Sequence, residues 1–316
     1  MKQLRPTLTL FFAIAATLVA AQTSQPKPTY LFDQAKAWGH LMWQCDLGPR
    51  PPETDAHIKC RDRLKDEMSK YCDNVHFQEF THTWSSTRKL VTMWNVIGQQ
   101  NWENAKVRVI LMAHWDTRPT SDQETDPDLK KLPIMGANDG ASEVAVLLEL
   151  MRVQKIKNNP DVGVMYVMDD GEDLGPNDNE MYLGAEAFAA NLPTPKPDYG
   201  ILLDMVGTEN VRIAVETESW QMVKPLCQAF YTFADHQGFG KTFPGEFGTA
   251  VLDDHQSVNK GGVPMMDLID FEHLDHWHNQ TDIPKYCSAD SLGKVGRMME
   301  VWLTKKPAFK YPKKID

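Results

Sequence analysis

The sequence predicts an α/β fold, in which helices cover both faces of a central mixed, mostly parallel β-sheet. Four apolar runs are continuous rather than alternating, as in strands that are buried on both faces. They cover residues 107–113, 162–168, 200–206 and 263–269. Helical periodicity lies between these runs, so strands and helices alternate along the chain. No glycine-rich or proline-rich linker and no internal repeat interrupts this order.

The elements follow from the first helix onwards. Two amphipathic helices are predicted over residues 31–45 and 54–72, separated by the turn-forming run at residues 48–52. Residues 76–84 and 90–98 are predicted to pair as strands. The later helices are predicted over residues 141–155, 180–190, 220–237 and 289–304. This order predicts a three-layer α/β/α sandwich formed by one domain.

The first residues have the composition of an export signal. Lys2 and Arg5 precede an apolar run over residues 8–19, and the small residues Ala20 and Ala21 follow it. The run is shorter than the roughly 20 apolar residues that span a bilayer. We therefore expect a signal peptide at residues 1–21, a single domain at 22–316 and no membrane span after cleavage. The protein would then be periplasmic or secreted.

Composition bears on partners and on redox state. The 316 residues include 33 basic and 43 acidic side chains, and the net charge of −10 disfavours nucleic acid as a partner. Hydrophobic residues make up 42 %, enough to bury a full core. Export would place the five cysteines in an oxidising compartment. The sequence leaves open whether they pair or are small buried hydrophobic residues: Cys45, Cys60, Cys72, Cys227 and Cys287.

Polar residues follow the predicted buried strands at their carboxyl ends. The first strand leads to His114, the second to Glu172 and Asp173, the third carries Asp204, and a loop leads from the fourth to His278. In open α/β sheets the ligand crevice lies outside these strand ends, so the side chains should converge. Clustered carboxylates would repel one another unless a cation held them.

These residue types are typical of a catalytic zinc site. Asp139, in the turn that opens the helix at 141–155, joins the set. Histidine and aspartate are zinc ligands, and Glu172 remains as a carboxylate that can move a proton beside the metal. Singly, each residue has an ordinary explanation, such as a helix N-cap for Asp139. Asp116 is either a surface carboxylate or the group that orients His114. The acidic run that begins at Asp122 is interpreted as a solvated lid.

The order of these motifs resembles the zinc aminopeptidase-like family, peptidase family M28. The motifs are Gly-Pro-Arg at 48–50, His-x-Asp at 114–116, Gly-Ala-x-Asp at 136–139, Gly-Glu-Asp at 171–173, Leu-Asp-Met-Val-Gly at 203–207, Asp-Asp-His at 253–255 and Trp-His at 277–278. The resemblance covers nearly all of the chain after the signal and implies a zinc-exopeptidase fold.

The family includes secreted aminopeptidases and glutaminyl-peptide cyclotransferases, also called glutaminyl cyclases. In the peptidases, the matching positions hold two zinc ions, with Asp139 bridging them and Glu172 as general base. These ligand positions are His114, Asp139, Asp173, Asp204 and His278. The family commonly has Glu where this chain has Asp173. In the cyclases, a single zinc is held by the positions that match Asp139, Asp173 and His278.

Features outside the ligand set resemble the cyclases. Asp253 begins an Asp-Asp-His motif, whose first Asp is hydrogen-bonded in the cyclases to the acid/base Glu and to the Asp matching Asp204. Trp277 resembles the indole that walls their glutamine pocket, and its place before His278 favours His278 over His276 as the ligand. His273 departs from the family, because cyclases tend to have an aromatic residue in this stretch.

The resemblance implies a cyclase that converts N-terminal glutamine of peptides or proteins to pyroglutamate and releases ammonia. One Zn²⁺ would act as Lewis acid and Glu172 as general acid/base, supported by Asp253 and Asp204, with Trp277 binding the substrate. The alternative is an aminopeptidase with a second zinc on His114 and Asp204. A non-catalytic binding domain is disfavoured, because Glu172 is intact. We expect a monomer whose partners are peptide or protein N-termini.

Overall fold

The structure is a computed structural model, and it describes residues 29–305 and residue 311. The expected signal peptide at residues 1–21 lies outside these residues. Within the described part of the chain, none of the helices has the length and apolar character that a membrane span requires.

The described residues form six strands and seven α-helices, close to the predicted positions. The strands are β1 (Asn74–Trp84), β2 (Lys89–Gln100), β3 (Val107–His114), β4 (Val162–Asp169), β5 (Tyr199–Asp204) and β6 (Met265–Ile269). The helices are α1 (Gln34–Asp46), α2 (Asp55–Ser69), α3 (Ala141–Lys157), α4 (Leu183–Ala189), α5 (Thr217–His236), α6 (Asp254–Lys260) and α7 (Ala289–Lys305). The sequence analysis missed α6.

The strands form one mixed sheet in the order β1-β2-β4-β3-β5-β6. Strands β1 and β2 pair as an antiparallel hairpin, and β2 is also antiparallel to β4. The other neighbouring strands are parallel, so the carboxyl ends of β3, β4, β5 and β6 lie along one edge. Within this edge, His114 pairs in register with Asp169, and Asp204 pairs with Ile269. The predicted mostly parallel sheet is confirmed.

Each face of the sheet carries its own hydrophobic core. Alternate residues of β3 divide between them, because successive side chains of a strand point to opposite faces. Val109 and Leu111 pack in a large core with side chains of α1, α2, α3, α5 and α7. Ile110 and Met112 pack in a smaller core with side chains of α4 and α6. This arrangement is the predicted three-layer α/β/α sandwich.

All five cysteines are free thiols. Cys45, Cys60 and Cys227 are buried, and Cys72 and Cys287 are partly buried. Burial raises the pKa of the Cys45, Cys60 and Cys227 thiols to about 12. Of the two alternatives left open by the sequence, the structure therefore has the second, in which these residues fill apolar space.

Candidate metal centre and active-site cavity

The structure brings the predicted strand-end residues together at one edge of the sheet. His114 ends β3 and Asp204 ends β5, while Glu172 and Asp173 lie in the loop that follows β4. Asp139 comes from the turn before α3, where Asp282 accepts hydrogen bonds from the backbone N–H groups of Asn138 and Asp139 at 2.8 and 3.2 Å. His278 comes from the loop after β6.

Three of these side chains form a group that could hold one metal ion. Asp139, Asp173 and His278 each offer a ligand atom, and these atoms lie within 4.8 Å of one another. The Nε2 atom of His278 is 3.4 Å from an oxygen of each aspartate. All three residues are buried, and within the part of the chain that the structure describes Asp173 Oδ2 has no hydrogen-bond partner. A buried set of two carboxylates and one imidazole suits Zn²⁺.

A second group lies around His114. Its Nε2 atom is 3.1 Å from Asp139, 3.3 Å from Glu143 and 3.5 Å from Asp204, measured to the nearest carboxylate oxygen. Burial lowers the pKa of His114, but the facing carboxylates outweigh it and raise that pKa well above the usual value. These three carboxylates can therefore be balanced either by a second metal ion or by a proton on His114.

The structure places two histidines and one aspartate for which the sequence left alternatives open. His276 stacks on Tyr286 at 3.8 Å between ring centroids, so it is His278 that faces Asp139 and Asp173. Asp116 is fully buried, and its oxygens accept from the backbone N–H groups of Glu172 and Asp173 at 3.3 Å. It lies 3.7 Å from His114 Nδ1, so it supports the Glu172 loop as well as facing His114.

Glu172 is surrounded by other carboxyl groups. Burial raises its pKa well above the usual value, and the charges of Asp173, Asp253 and Asp204 raise it further. Burial also raises the pKa of Asp253 to about 7. The pKa of Asp204 is raised well above its usual range by burial and then by Asp253. Without a cation these groups cannot all be ionised at neutral pH, so at least one of them would then hold a proton.

The candidate ligands and Glu172 line one cavity of about 360 Å³. Trp277 lines it too and stacks on His278 with 4.0 Å between ring centroids. Phe271 packs edge-on against Trp277 at 5.4 Å and supplies an aromatic wall. His273 is instead hydrogen-bonded to Asp270 and lies outside this lining. His273 differs from the aromatic residue that is usual in the family, but the cavity still has aromatic walls, which Trp277 and Phe271 supply.

Three residues that line the cavity have left-handed backbone conformations, which are uncommon for residues other than glycine. Their φ angles are 62° for Tyr182, 46° for Met205 and 51° for His278. The Tyr182 hydroxyl donates to the carbonyl of Leu252 at 2.8 Å and ties together two loops that line the cavity. Such conformations persist where the surrounding structure holds them, and they cluster at functional sites.

The sequence analysis missed two residues that contact candidate ligands. Arg118 donates to Asp173 at 3.0 Å, and Asp122 faces His278 Nδ1 at 3.2 Å. The interpretation of the acidic run as a solvated lid is therefore wrong for Asp122, whose carboxylate contacts Arg118 and His278. The proximity of Arg118 to the His-x-Asp motif at 114–116 was the only signal in the sequence that could have suggested a role.

The fold and the buried His/Asp/Glu cluster define the class of this protein, an α/β enzyme with a zinc-type metal centre at the carboxyl ends of its parallel strands. The chain belongs to peptidase family M28, whose sequence model matches residues 95–303. The predicted family is thus confirmed.

Known relatives of the chain include proteins named as glutaminyl cyclases and a protein named as a Zn-dependent exopeptidase. The chain is 22 % identical over 301 residues to the glutaminyl-peptide cyclotransferase of Bos taurus, covering 83 % of this chain and 81 % of that protein. It is 33 % identical to the glutaminyl cyclase of Tannerella forsythia, with a TM-score of 0.80, covering 86 % and 97 % of the two chains. A Zn-dependent exopeptidase from Parabacteroides distasonis is 32 % identical, with a TM-score of 0.81, covering 85 % and 97 %.

Proposed function

We propose that the protein is a zinc-dependent glutaminyl cyclase, which converts N-terminal glutamine of peptides or proteins to pyroglutamate and releases ammonia. The observation that carries this proposal is the buried carboxyl cluster of Glu172, Asp204 and Asp253 beside the candidate zinc ligands. The raised pKa values of these groups suit a reaction in which a proton must be taken up and then delivered to a leaving group. The similarity to the cyclases of Tannerella forsythia and Bos taurus supports it.

Asp139, Asp173 and His278 would hold the zinc ion. When bound, the ion supplies a Lewis acid for the side-chain amide of the substrate. The cavity walls, with Trp277 and Phe271, would hold that side chain and exclude water. Because the attacking amine and the amide belong to one substrate molecule, orientation within the cavity contributes much of the rate.

Glu172 would move the proton. The α-amine forms a bond to the side-chain amide carbon, and Glu172 takes a proton from that amine. The bond from this carbon to the amide nitrogen then breaks, and Glu172 returns the proton so that ammonia leaves. Asp253 and Asp204 hold shared protons near Glu172, and their own charge state sets how readily Glu172 accepts and releases its proton.

His114 would replace a second metal ion in the cyclase. Its imidazole lies within 3.5 Å of oxygens of Asp139, Glu143 and Asp204, so a proton on His114 balances their charge. The second candidate function is an aminopeptidase, in which His114 and Asp204 hold a second zinc and Glu172 deprotonates the attacking water. The similarity to the exopeptidase of Parabacteroides distasonis favours this alternative.

The proposal includes a signal peptide at residues 1–21, a single catalytic domain at residues 22–316, export to a periplasm or the medium, and a monomeric enzyme. Expression of the full chain with its leader tests the first part. Mass spectrometry of the exported protein is expected to show an N-terminus at Gln22. Retention of Met1 in that protein would refute cleavage.

The function is tested with two peptides that differ only in the first residue, Gln or Leu. The purified protein, loaded in separate samples with one and with two zinc equivalents, is incubated with each peptide, and the products are followed by mass spectrometry. We expect loss of one ammonia from the Gln peptide and no change in the Leu peptide. Release of free Leu or free Gln would identify an aminopeptidase instead. The Glu172→Gln variant is the matched control and should retain zinc without turning over either peptide.

A further inference from the structure

We propose that Arg118 and Asp122 are positioning residues for the metal centre, which hold Asp173 and His278 in the orientation that binds zinc. The proposal rests on the zinc site described under the proposed function. It does not depend on whether the enzyme is a cyclase or an aminopeptidase, because Asp173 and His278 are ligands in both.

The four side chains form a closed ring of contacts. The Arg118 Nη1 donates to Asp173 Oδ1 at 3.0 Å, and its Nε donates to Asp122 Oδ2 at 2.7 Å. The other oxygen of Asp122 lies 3.2 Å from His278 Nδ1. His278 Nε2 closes the ring at 3.4 Å from Asp173 Oδ1. One guanidinium thus reaches one zinc ligand directly and the other through Asp122.

The arginine is built into the fold and is not a loose surface group. Arg118 is 6 % exposed, and its guanidinium packs against Gly175. A Cβ atom at Gly175 would lie 3.2 to 3.4 Å from three guanidinium atoms, so a side chain there would press on this group. The Arg118 guanidinium therefore occupies space that is open because residue 175 is glycine.

The loop that carries Asp122 is anchored around His278 by further contacts. The backbone N–H of Gln123 donates to the carbonyl of His278 at 3.2 Å. Two residues beyond His278, the backbone N–H of Gln280 donates to Glu124 Oε1 at 2.9 Å. These bonds fix the position of the Asp122 carboxylate relative to the imidazole.

Two physical consequences follow from the ring. A hydrogen bond from Nδ1–H to Asp122 selects one tautomer of His278 and leaves Nε2 to face Asp139 and Asp173. The bond from Arg118 fixes Asp173 through Oδ1 and leaves its buried Oδ2 without a partner. The planar guanidinium reaches both carboxylates with two different nitrogens, Nε to Asp122 and Nη1 to Asp173, and a lysine ammonium lacks this fixed geometry.

The test compares zinc affinity with apo-protein stability. Zinc is withdrawn from the loaded protein by a competing chelator, in the wild type and in the Asp122→Asn, Asp122→Ala and Arg118→Lys variants. We expect affinity to fall about tenfold in Asp122→Asn and further, up to about 100-fold, in Asp122→Ala, which also loses the hydrogen bond to His278. The zinc affinity of Arg118→Lys is also expected to fall, by about tenfold or more.

The control variant is Asp128→Asn, which changes the same residue type on the same loop. Among the described residues, the Asp128 side chain pairs with the exposed Lys131 at 2.9 Å, and it is itself 90 % exposed, so zinc affinity should not change. The melting temperature of the zinc-free Asp122→Asn variant should match that of the wild type, since the side chain is 36 % exposed and asparagine retains an oxygen that can accept from Arg118. The Nδ1 proton of His278, observed by NMR in zinc-loaded protein, should be retained in Asp122→Asn and lost to solvent exchange in Asp122→Ala.

The outcomes separate this proposal from the others. Zinc affinities in all three variants within twofold of the Asp128→Asn control would overturn the positioning role. Failure of the wild type to bind zinc would overturn the proposed metal centre, and the positioning role with it. Zinc binding that weakens as expected, in a wild type that does not cyclise Gln peptides, would support the positioning role and overturn only the cyclase.

Discussion

Replacement of Arg50 by Met should strongly destabilise the protein. Arg50 is fully buried and belongs to the Gly-Pro-Arg turn at residues 48–50. Its guanidinium donates to the carbonyls of Trp115, Met135 and Gly136 at 3.1, 3.0 and 2.9 Å. These carbonyls lie on the segments that carry His114 and Asp139, so one side chain joins two parts of the metal centre.

The magnitude follows from these contacts. Methionine fills much of the volume but has no donor, so the buried carbonyl oxygens of Trp115 and Gly136 and the partly buried one of Met135 lose this partner, at about 1–3 kcal/mol for each buried group. Removing a buried guanidinium also removes its own desolvation penalty, which offsets part of this loss. We expect a net decrease of about 3–5 kcal/mol in the free energy of unfolding, or about 10 °C in Tm for a domain of this size.

The assay is urea denaturation of Arg50→Met beside Arg61→Met. Arg61 is the matched control because its guanidinium is partly exposed and pairs with the exposed carboxylate of Asp62 at 2.7 Å, over the Trp94 ring at 4.4 Å. Its replacement should cost less than about 1 kcal/mol. A loss in Arg50→Met no larger than that of the control would refute the role assigned to these three bonds.

Three further predictions concern other parts of the molecule. Burial lowers the pKa of His40 from 6.5 to about 4, so between these values the unfolded chain binds a proton that the folded protein does not. The free energy of unfolding should therefore fall as the pH falls through this window. In His40→Gln, the decrease between pH 7 and pH 4, measured by denaturation at both pH values, should be smaller by up to about 2 kcal/mol. Gly184→Ala would place a Cβ atom 2.5 Å from the carbonyl oxygen of Asp170. This variant should lose about 1–3 kcal/mol by the same assay, whereas Gly39→Ala, in an open helical position, should be neutral or stabilising. Trp277→Ala should lower kcat/KM for Gln peptides about 30-fold, the equivalent of about 2 kcal/mol, with unchanged zinc content; an unchanged kcat/KM would exclude Trp277 from the substrate pocket.

Much of the fold could be predicted because the strands of a sheet buried on both faces are apolar throughout. The predicted third strand of the parallel set ran to residue 206, but β5 ends at Asp204, because Met205 turns into a left-handed conformation with φ 46°. The seven-residue helix α6 was missed because its sequence, Asp-His-Gln-Ser-Val-Asn-Lys, is polar and too short to show periodicity. Val258 is the one residue of α6 that belongs to the smaller core.

The site could be predicted to the extent that topology determines it. Strand ends of a parallel sheet converge, so His114, Asp173 and Asp204 could be placed together from the order of elements. The contact of Asp122 with His278 joins residues 156 positions apart through two loops. Loops without periodicity carry no signal of where they fold back, and Arg118 and Asp122 therefore emerged only from the structure.

The left-handed residues around the cavity have a consequence for protein engineering. Each such conformation costs an L-amino acid roughly 1–2 kcal/mol, so Tyr182, Met205 and His278 together make the catalytic end less stable than an ideal backbone would be. The two cores on the faces of the sheet must supply this difference. Glycine at Met205 would relieve this strain, but it would also remove a buried side chain that packs with Val251 and Ile269, at a cost of about 2–5 kcal/mol. The strain at this position therefore cannot be removed without loss of packing at the pocket wall, and mutations that improve stability without loss of turnover should be sought in the helical layers instead.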